Sequence, residues 1–533
     1  MTRCGAEGPD TWHDAAQRCI NKSLADYGLE AKVLPIRFCS SPEIEKPSMS
    51  AKAFIVVNLT IQTLTLLATG LHVLGRRRCG RLADNKYILA LSLKRNWQEL
   101  SSVRTNPKIE NQNTYCDLSF LEGIRFFGTV VVVLTHISIT YTHSYIDNPD
   151  FLEHMYDSFS GRAGFNMLLW LQIFFSITGF LTAYSTLVSS EKSSLTFLKC
   201  CLAILNRYIR ITPVAIFTLW FITTWYPRLG SGPHWTLQVL REAQDCSERW
   251  WLSLLYIHNY LPLGNFCMGH TWYLAADMQL HILGMFMLLL FIRWRRTVKP
   301  VIFLILLGSI VSSGLSAYFY NLTPIITSQS PESVASMFKD SQTIMKLYLP
   351  VWMNLSGYFL GIATAFICYD NQVHGVRLSE IKWFNVLFHL APCVAVMVTF
   401  LGVVFLAEKK PPLLVGFIYS SLDRFIVALC FNIFVLGCIS NCQSILRSTF
   451  SWPGFRMLGR LSYSVFIIHF IILRLAVVTN TQLGHASSYS MISLLIGGVV
   501  TSYVVAIPVC LIIEMPSVQL WKAFLSSDKQ KSE

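Results

Sequence analysis

Residues 120–141 read FLEGIRFFGTVVVVLTHISITY. About 20 predominantly apolar residues cross a bilayer as a helix, so this run is a membrane span by length and composition. It nevertheless holds Glu122, Arg125 and His136. A charged side chain at mid-membrane costs about 2.5 to 3.5 kcal/mol even on the milder insertion scales, and ionisable groups inside a span are therefore functional candidates. Arg125 and His136 are 11 residues apart, which on a helix is three turns plus about 20°, so they share one stripe roughly 16 Å in length. Two plainer roles stand beside the functional one: Arg125 snorkels to the membrane surface, and His136 makes a neutral hydrogen bond to a neighbouring helix.

Working outward, the rest of the chain repeats the membrane signature. Of 533 residues, 53% are hydrophobic and only 14% charged, against about 25% charged in soluble domains. Apolar runs fall at 53–74, 120–141, 165–188, 211–226, 270–292, 301–320, 347–368, 384–406, 417–439, 461–479 and 490–513. The fold class predicted is all-α, a polytopic transmembrane bundle of about 11 spans. Trp250 to Leu261 is a shorter apolar segment suited to an interfacial or re-entrant helix.

The net charge of +13 is explained by placement. Alternate loops carry 25 Lys and Arg on one side and 8 on the other. The positive-inside rule puts the first set in the cytoplasm, the N-terminus outside or lumenal and the C-terminus cytoplasmic. Membrane lipids, not nucleic acid, are the partners this charge implies. The domain reading is a cysteine-bearing outer tail over 1–52, a first span at 53–74, a basic cytoplasmic loop at 75–118, a membrane domain over 119–521 and a cytoplasmic tail over 522–533.

The outer side carries the marks of an oxidising, glycosylating compartment. The tail has Cys4, Cys19 and Cys39 and a sequon at Asn21, and a second sequon starts at Asn321. Cys246 and Cys267 flank the short apolar segment on the same side and are expected to form a disulfide, the alternative being two free thiols. The membrane expected is the plasma membrane or an endomembrane of the secretory pathway. No signal peptide precedes the tail, and three is an odd number of cysteines, so the expectation is that the chain starts inside a longer protein.

Further polar groups gather near span ends. Arg207 and Arg210 are i, i+3 neighbours on one helix face at the cytoplasmic boundary, where two guanidinium forks suit phosphate or lipid headgroups. Residues 269–281, GHTWYLAADMQLH, place Tyr273, Asp277, Gln279 and His281 in the outer half of a span. A structural polar network between helices is the plainer reading of that stretch. His469 and Arg474 lie in the tenth span, and Glu514 closes the eleventh. The sequence has no HExxH metal motif, phosphate-binding glycine loop or GxSxG elbow, and no metal site is expected.

Taken together, Arg125 with His136, the RxxR of Arg207 and Arg210, TWYLAADMQ at 271–279 and LSYSVFIIH at 461–469 resemble acyltransferase family 3, integral-membrane acyltransferases with a ten-helix core. The added first span and cysteine-bearing tail resemble its animal branch, named for nose resistance to fluoxetine, with the N-terminal extracellular domain largely missing. The resemblance covers about 120–520. It implies an acyl-CoA donor and a lipid, sterol, glycan or small-molecule acceptor. This chain has Asp277 where many members carry Glu, a side chain one methylene longer.

On that resemblance His136 is the general base, taking the proton of an acceptor hydroxyl as it attacks a thioester. Arg125, Arg207 and Arg210 hold the cofactor end, and Asp277 is the residue expected to orient His136. Glu122, Tyr273, Gln279, His281 and His469 are supporting residues. The alternative is a lipid or xenobiotic transport or binding protein whose polar interior lines a passage. Dependence on acyl-CoA separates the two.

Overall fold

The structure, a computed structural model, describes residues 9–32, 46–78, 84–102, 117–142, 144–158, 166–232, 234–261, 267–325, 341–406, 412–480 and 482–531. Cys4 and Cys39 lie outside the described residues. Helix is the regular element throughout, and among the described residues strand pairing is limited to one bridge between Ile146 and Gly484. Among the described residues eleven helices are long and apolar enough to cross a membrane, as the hydrophobic runs predict.

In chain order, α1 (Pro9–Leu24) precedes the first span, α2 (Met49–Arg78). Two short helices follow, α3 (Lys86–Leu91) and α4 (Leu93–Ser101), and then α5 (Phe120–Thr142), the helix of the opening stretch. Short α6 (Pro149–Asp157) leads to the antiparallel spans α7 (Leu171–Lys192) and α8 (Phe197–Thr224). The surface helix α9 (Arg241–Leu254) precedes α10 (Trp272–Arg293), α11 (Val298–Phe319), α12 (Leu355–Val373), α13 (Lys382–Leu401) and α14 (Leu413–Ile439). One-turn α15 (Ile445–Phe450), α16 (Phe455–Val478), α17 (Ser488–Val509) and α18 (Met515–Lys531) complete the chain. With each span crossing once, α3, α4, α15 and α18 share one face of the bundle and α6 and α9 the other; we call these the basic face and the disulfide face.

Burial decides which helices are central. The span Val351–Val373 is 72% buried and Met49–Gly75 only 17%. Lipid tails are as apolar as leucine, so membrane helices associate through close packing of small residues. At the centre, a Cβ on Gly179 of α7 would lie 2.1 Å from the Tyr358 carbonyl oxygen of α12, and one on Gly361 2.2 Å from that of Ser176. Only glycine permits this backbone contact. By contrast α2 sits at the edge, with Phe54 against Phe217, Trp220 and Phe221 at centroid distances of 5.2, 5.5 and 6.2 Å.

Two boundaries differ from the sequence reading. The fourth span starts at Phe197, not 211, because Thr196 caps it, its side chain accepting from Lys199 N. Arg207 and Arg210 thereby sit within the helix. Hydropathy hides them, since it does not see that the Arg207 charge is met by an acid on another helix. The last span does not end at 513: a wide turn over Cys510–Glu514 passes straight into α18, which remains helical to Lys531.

The basic loop also has structure. Asn85 caps α3, and Asn96 and Leu100 of α4 are buried. Arg460 Nη1 of α16 donates to the carbonyls of Glu99, Leu100 and Ser102 at 2.8, 2.9 and 3.0 Å. The short apolar segment becomes the end of α9 and a turn, with Trp250 and Trp251 exposed as an interfacial helix requires.

Candidate functional site

His136 of α5 meets His469 of α16, Nδ1 to Nε2 at 2.7 Å, with the rings stacked at 5.0 Å. His270, in the tight turn before α10, lies edge-on to both at 6.1 and 5.4 Å. The partners fix the tautomers. His469 Nδ1 faces the backbone carbonyls of Phe466 and Val465 at 2.8 and 3.2 Å, and carbonyls only accept, so this nitrogen carries the hydrogen. In the neutral ring Nε2 is then an acceptor, and His136 must donate to it from Nδ1. His136 Nε2 is left as a free lone pair, the form a general base requires.

Asp277 does not supply this orientation. It forms an ion pair with Arg207 of α8, and its side chain is 3% exposed. The expected Asp277 contact to His136 is therefore corrected: a carboxylate at that depth is held by the nearest guanidinium, and His469 takes the position beside His136.

The arginines form a second polar cluster toward the basic face. Arg125 Nη1 donates to Glu122 Oε1 at 2.9 Å, and Ser464 Oγ donates to Glu514 Oε2 at 2.6 Å. Arg210 is exposed and lies within electrostatic reach of Glu514, Arg125, Arg207 and Glu122, without a hydrogen-bond partner among the described residues. Of the two guanidinium forks, Arg207 is taken up by Asp277. Tyr273, one turn before Asp277, packs on Phe174, Phe175 and Phe466 between the two clusters.

A cavity of about 320 Å³ lies against the histidines, a size typical of small-molecule sites. Its polar edge is His136, His270, Thr135 and Tyr273, and its walls are apolar side chains of α5, α7, α13 and α14. On the disulfide face Arg474, five residues beyond His469, lies over the Phe470 ring at 4.3 Å and forms an ion pair with Glu242 of α9. A disulfide between Cys246 and Cys267 ties that helix to the turn bearing His270.

Other expected residues stand apart. Gln279 donates to the Tyr256 carbonyl at 2.6 Å and Asn259 Oδ1 at 2.8 Å, and accepts from Tyr260 at 2.9 Å, a network that holds the α9–α10 connection. His281 is buried beside Thr182, 3.3 Å away, on the α7 side of α10. Asn21 lies in α1, its Oδ1 accepting from Ala31 N at 2.8 Å, whereas Asn321 is exposed in a turn with φ of 48°. Cys19 is disulfide-bonded. The sequence reading missed Glu242, whose polar amphipathic helix carries no membrane signal, although its partner Arg474 was visible as a charge in an apolar span.

The bundle and its part-buried histidine pair describe a polytopic membrane protein with ionisable groups gathered inside it. Residues 118–515 match the acyltransferase domain family, acyltransferase family 3, and the chain belongs to it. It is 24% identical to nose resistant to fluoxetine protein 6 of Caenorhabditis elegans over 83% of this chain and 55% of that protein. It is also 21% identical to the peptidoglycan O-acetyltransferase OatA of Listeria monocytogenes, over 67% of this chain and 49% of that protein. The chain thus spans about half the length of the curated relatives it matches. No solved structure matches it.

Proposed function

We propose that this protein is a membrane-embedded acyltransferase moving an acyl group from acyl-CoA to a hydroxyl-bearing acceptor, with His136 as general base. The observation that carries the reading is the His136–His469 hydrogen bond at the edge of the cavity, because it leaves His136 Nε2 unprotonated. The family match and the O-acetyltransferase relative support the reaction class.

In this reading His136 Nε2 takes the hydroxyl proton as the oxygen attacks the thioester carbonyl. The tetrahedral intermediate collapses with loss of CoA thiolate, which takes that proton from His136. His469 Nε2 accepts from His136 Nδ1 throughout and steadies the transient imidazolium. Arg210 holds a CoA phosphate on the basic face, which the positive-inside rule makes cytoplasmic. Arg125 and Arg207, held by Glu122 and Asp277, shape the passage from that face to His136. Asn21 and Asn321 are glycosylated on the opposite side, in the plasma membrane or an endomembrane of the secretory pathway.

A lipid or xenobiotic carrier is the second reading, favoured by the apolar cavity alone. The test is release of CoA thiol by the purified protein in lipid nanodiscs, wild type beside His136→Ala, with a mixture of candidate acceptors. General bases contribute typically 10²- to 10⁴-fold, and a loss in that range is expected. Full turnover in a folded His136→Ala protein refutes the base, and absence of both turnover and CoA binding in the wild type favours the carrier.

A further inference from the structure

The cavity is open to one side. Three of its lining residues are exposed, Phe127 on α5 at 38%, Val396 on α13 at 39% and Leu446 on α15 at 41%. Phe127 and Val396 lie within spans, so the mouth between α5 and α13 meets the hydrocarbon of the bilayer and not water. Its apolar walls run from Ile124 near the basic face to Trp272 near the disulfide face. From bilayer to cavity there is no hydrophobic driving force, because lipid tails are already in an apolar solvent. Occupancy therefore selects on shape and on the polar end.

At that end stand two acceptors. His136 Nε2 is one. His270 is the other: its Nε2 faces the Ile467 carbonyl at 3.3 Å and so carries the hydrogen, while its buried Nδ1 has no hydrogen-bond partner. A molecule with a hydrocarbon tail and a hydroxylated head satisfies both the walls and the histidines. The donor's phosphates, by contrast, belong with Arg210 at the basic face.

We propose that the acceptor is a hydroxyl-bearing membrane lipid, taken sideways from the bilayer between α5 and α13, with its tail in this cavity and its head at His136 and His270. Naming the occupant as the acceptor rests on the acyltransferase reading; its place in the cavity does not.

The probe is a monoacylglycerol with a diazirine in its chain, photo-crosslinked to the full chain in nanodiscs and mapped by peptide mass. Crosslinks are expected on cavity-facing peptides of α5, α13 and α14. Ala395→Phe and Val132→Trp, which fill the space from opposite walls, should each cut them at least fivefold in protein of unchanged thermal stability. His136→Ala leaves the walls and His270 in place and should reduce the crosslinks less than either filled variant, and absence of turnover in the wild type with crosslinks on these peptides would count against the reaction and not against the site. Crosslinks spread over the outer surface, or unchanged in both filled variants, overturn the proposal. So does displacement of the probe by oleoyl-CoA but not by unlabelled monooleoylglycerol, which would make the cavity a site for the donor's chain.

Discussion

His136 and His469, 333 residues apart in the chain, share a 2.7 Å hydrogen bond whose direction is set by the carbonyl of Phe466. A base oriented by a second imidazole differs from one oriented by a carboxylate. The orienting group is uncharged, and it holds the tautomer through a backbone that no side-chain substitution removes.

His469→Ala should lower kcat by about 10²-fold, below the full general-base contribution because His136 itself remains. KM for acyl-CoA should be unchanged, since Arg210 belongs to the other polar cluster. His469→Gln, whose amide oxygen can still accept from His136, should recover part of the loss. Steady-state kinetics on the three proteins measure this, and equal loss in both variants would remove the tautomer argument.

Asp277→Ala leaves the Arg207 guanidinium partly buried and unpaired. Breaking one partner of a buried pair costs about 3 to 5 kcal/mol, so the thermal midpoint should fall. Asp277→Asn, which keeps a hydrogen-bond acceptor, should fall less. A direct role beside His136 would instead show as lost kcat at unchanged thermal midpoint, and the two measurements together decide between them.

Arg210→Ala should raise KM for acyl-CoA several-fold with kcat nearly constant. The difference from wild type should shrink between about 0.05 and 1 M salt, because the screening length falls to about 3 Å at the upper end. Arg210→Lys should restore charge but not the forked geometry, and hence only part of the affinity.

His258, buried in the turn after α9, bonds Thr271 Oγ1 at 3.1 Å. Burial pushes its pKa down from 6.5 to about 4. The unfolded chain then binds a proton that the folded one does not, so its stabilising contribution is full above pH 6.5 and is lost as pH falls toward 4. The loss approaches about 3 kcal/mol at the acid end. Thermal unfolding followed from pH 7.5 to 4 should show this decline, and His258→Gln should flatten it.

Much of the fold was legible because eleven hydrophobic runs report themselves independently of what they touch. The stripe of Arg125 and His136 was legible for the same reason: helical spacing places residues on one helix. Partners between helices were not. Asp277 was assigned to the wrong neighbour, since nothing in TWYLAADMQ says which of two buried groups its carboxylate meets. His469 was named, yet its part in fixing the His136 tautomer depends on backbone carbonyls that carry no sequence signal. Gln279 and His281 share the helix of Asp277 and serve the loop and the α7 contact instead, so proximity along a polar stretch overstated the site.

The Cys246–Cys267 bond joins the helix that carries Glu242 to the turn that carries His270. Opening it removes the covalent tie between the helix of Glu242, the partner of Arg474, and the third imidazole, without touching a residue of the proposed transfer step. A thiol reductant added during purification is therefore a reagent acting on the site, and specific activity will follow the redox history of the preparation.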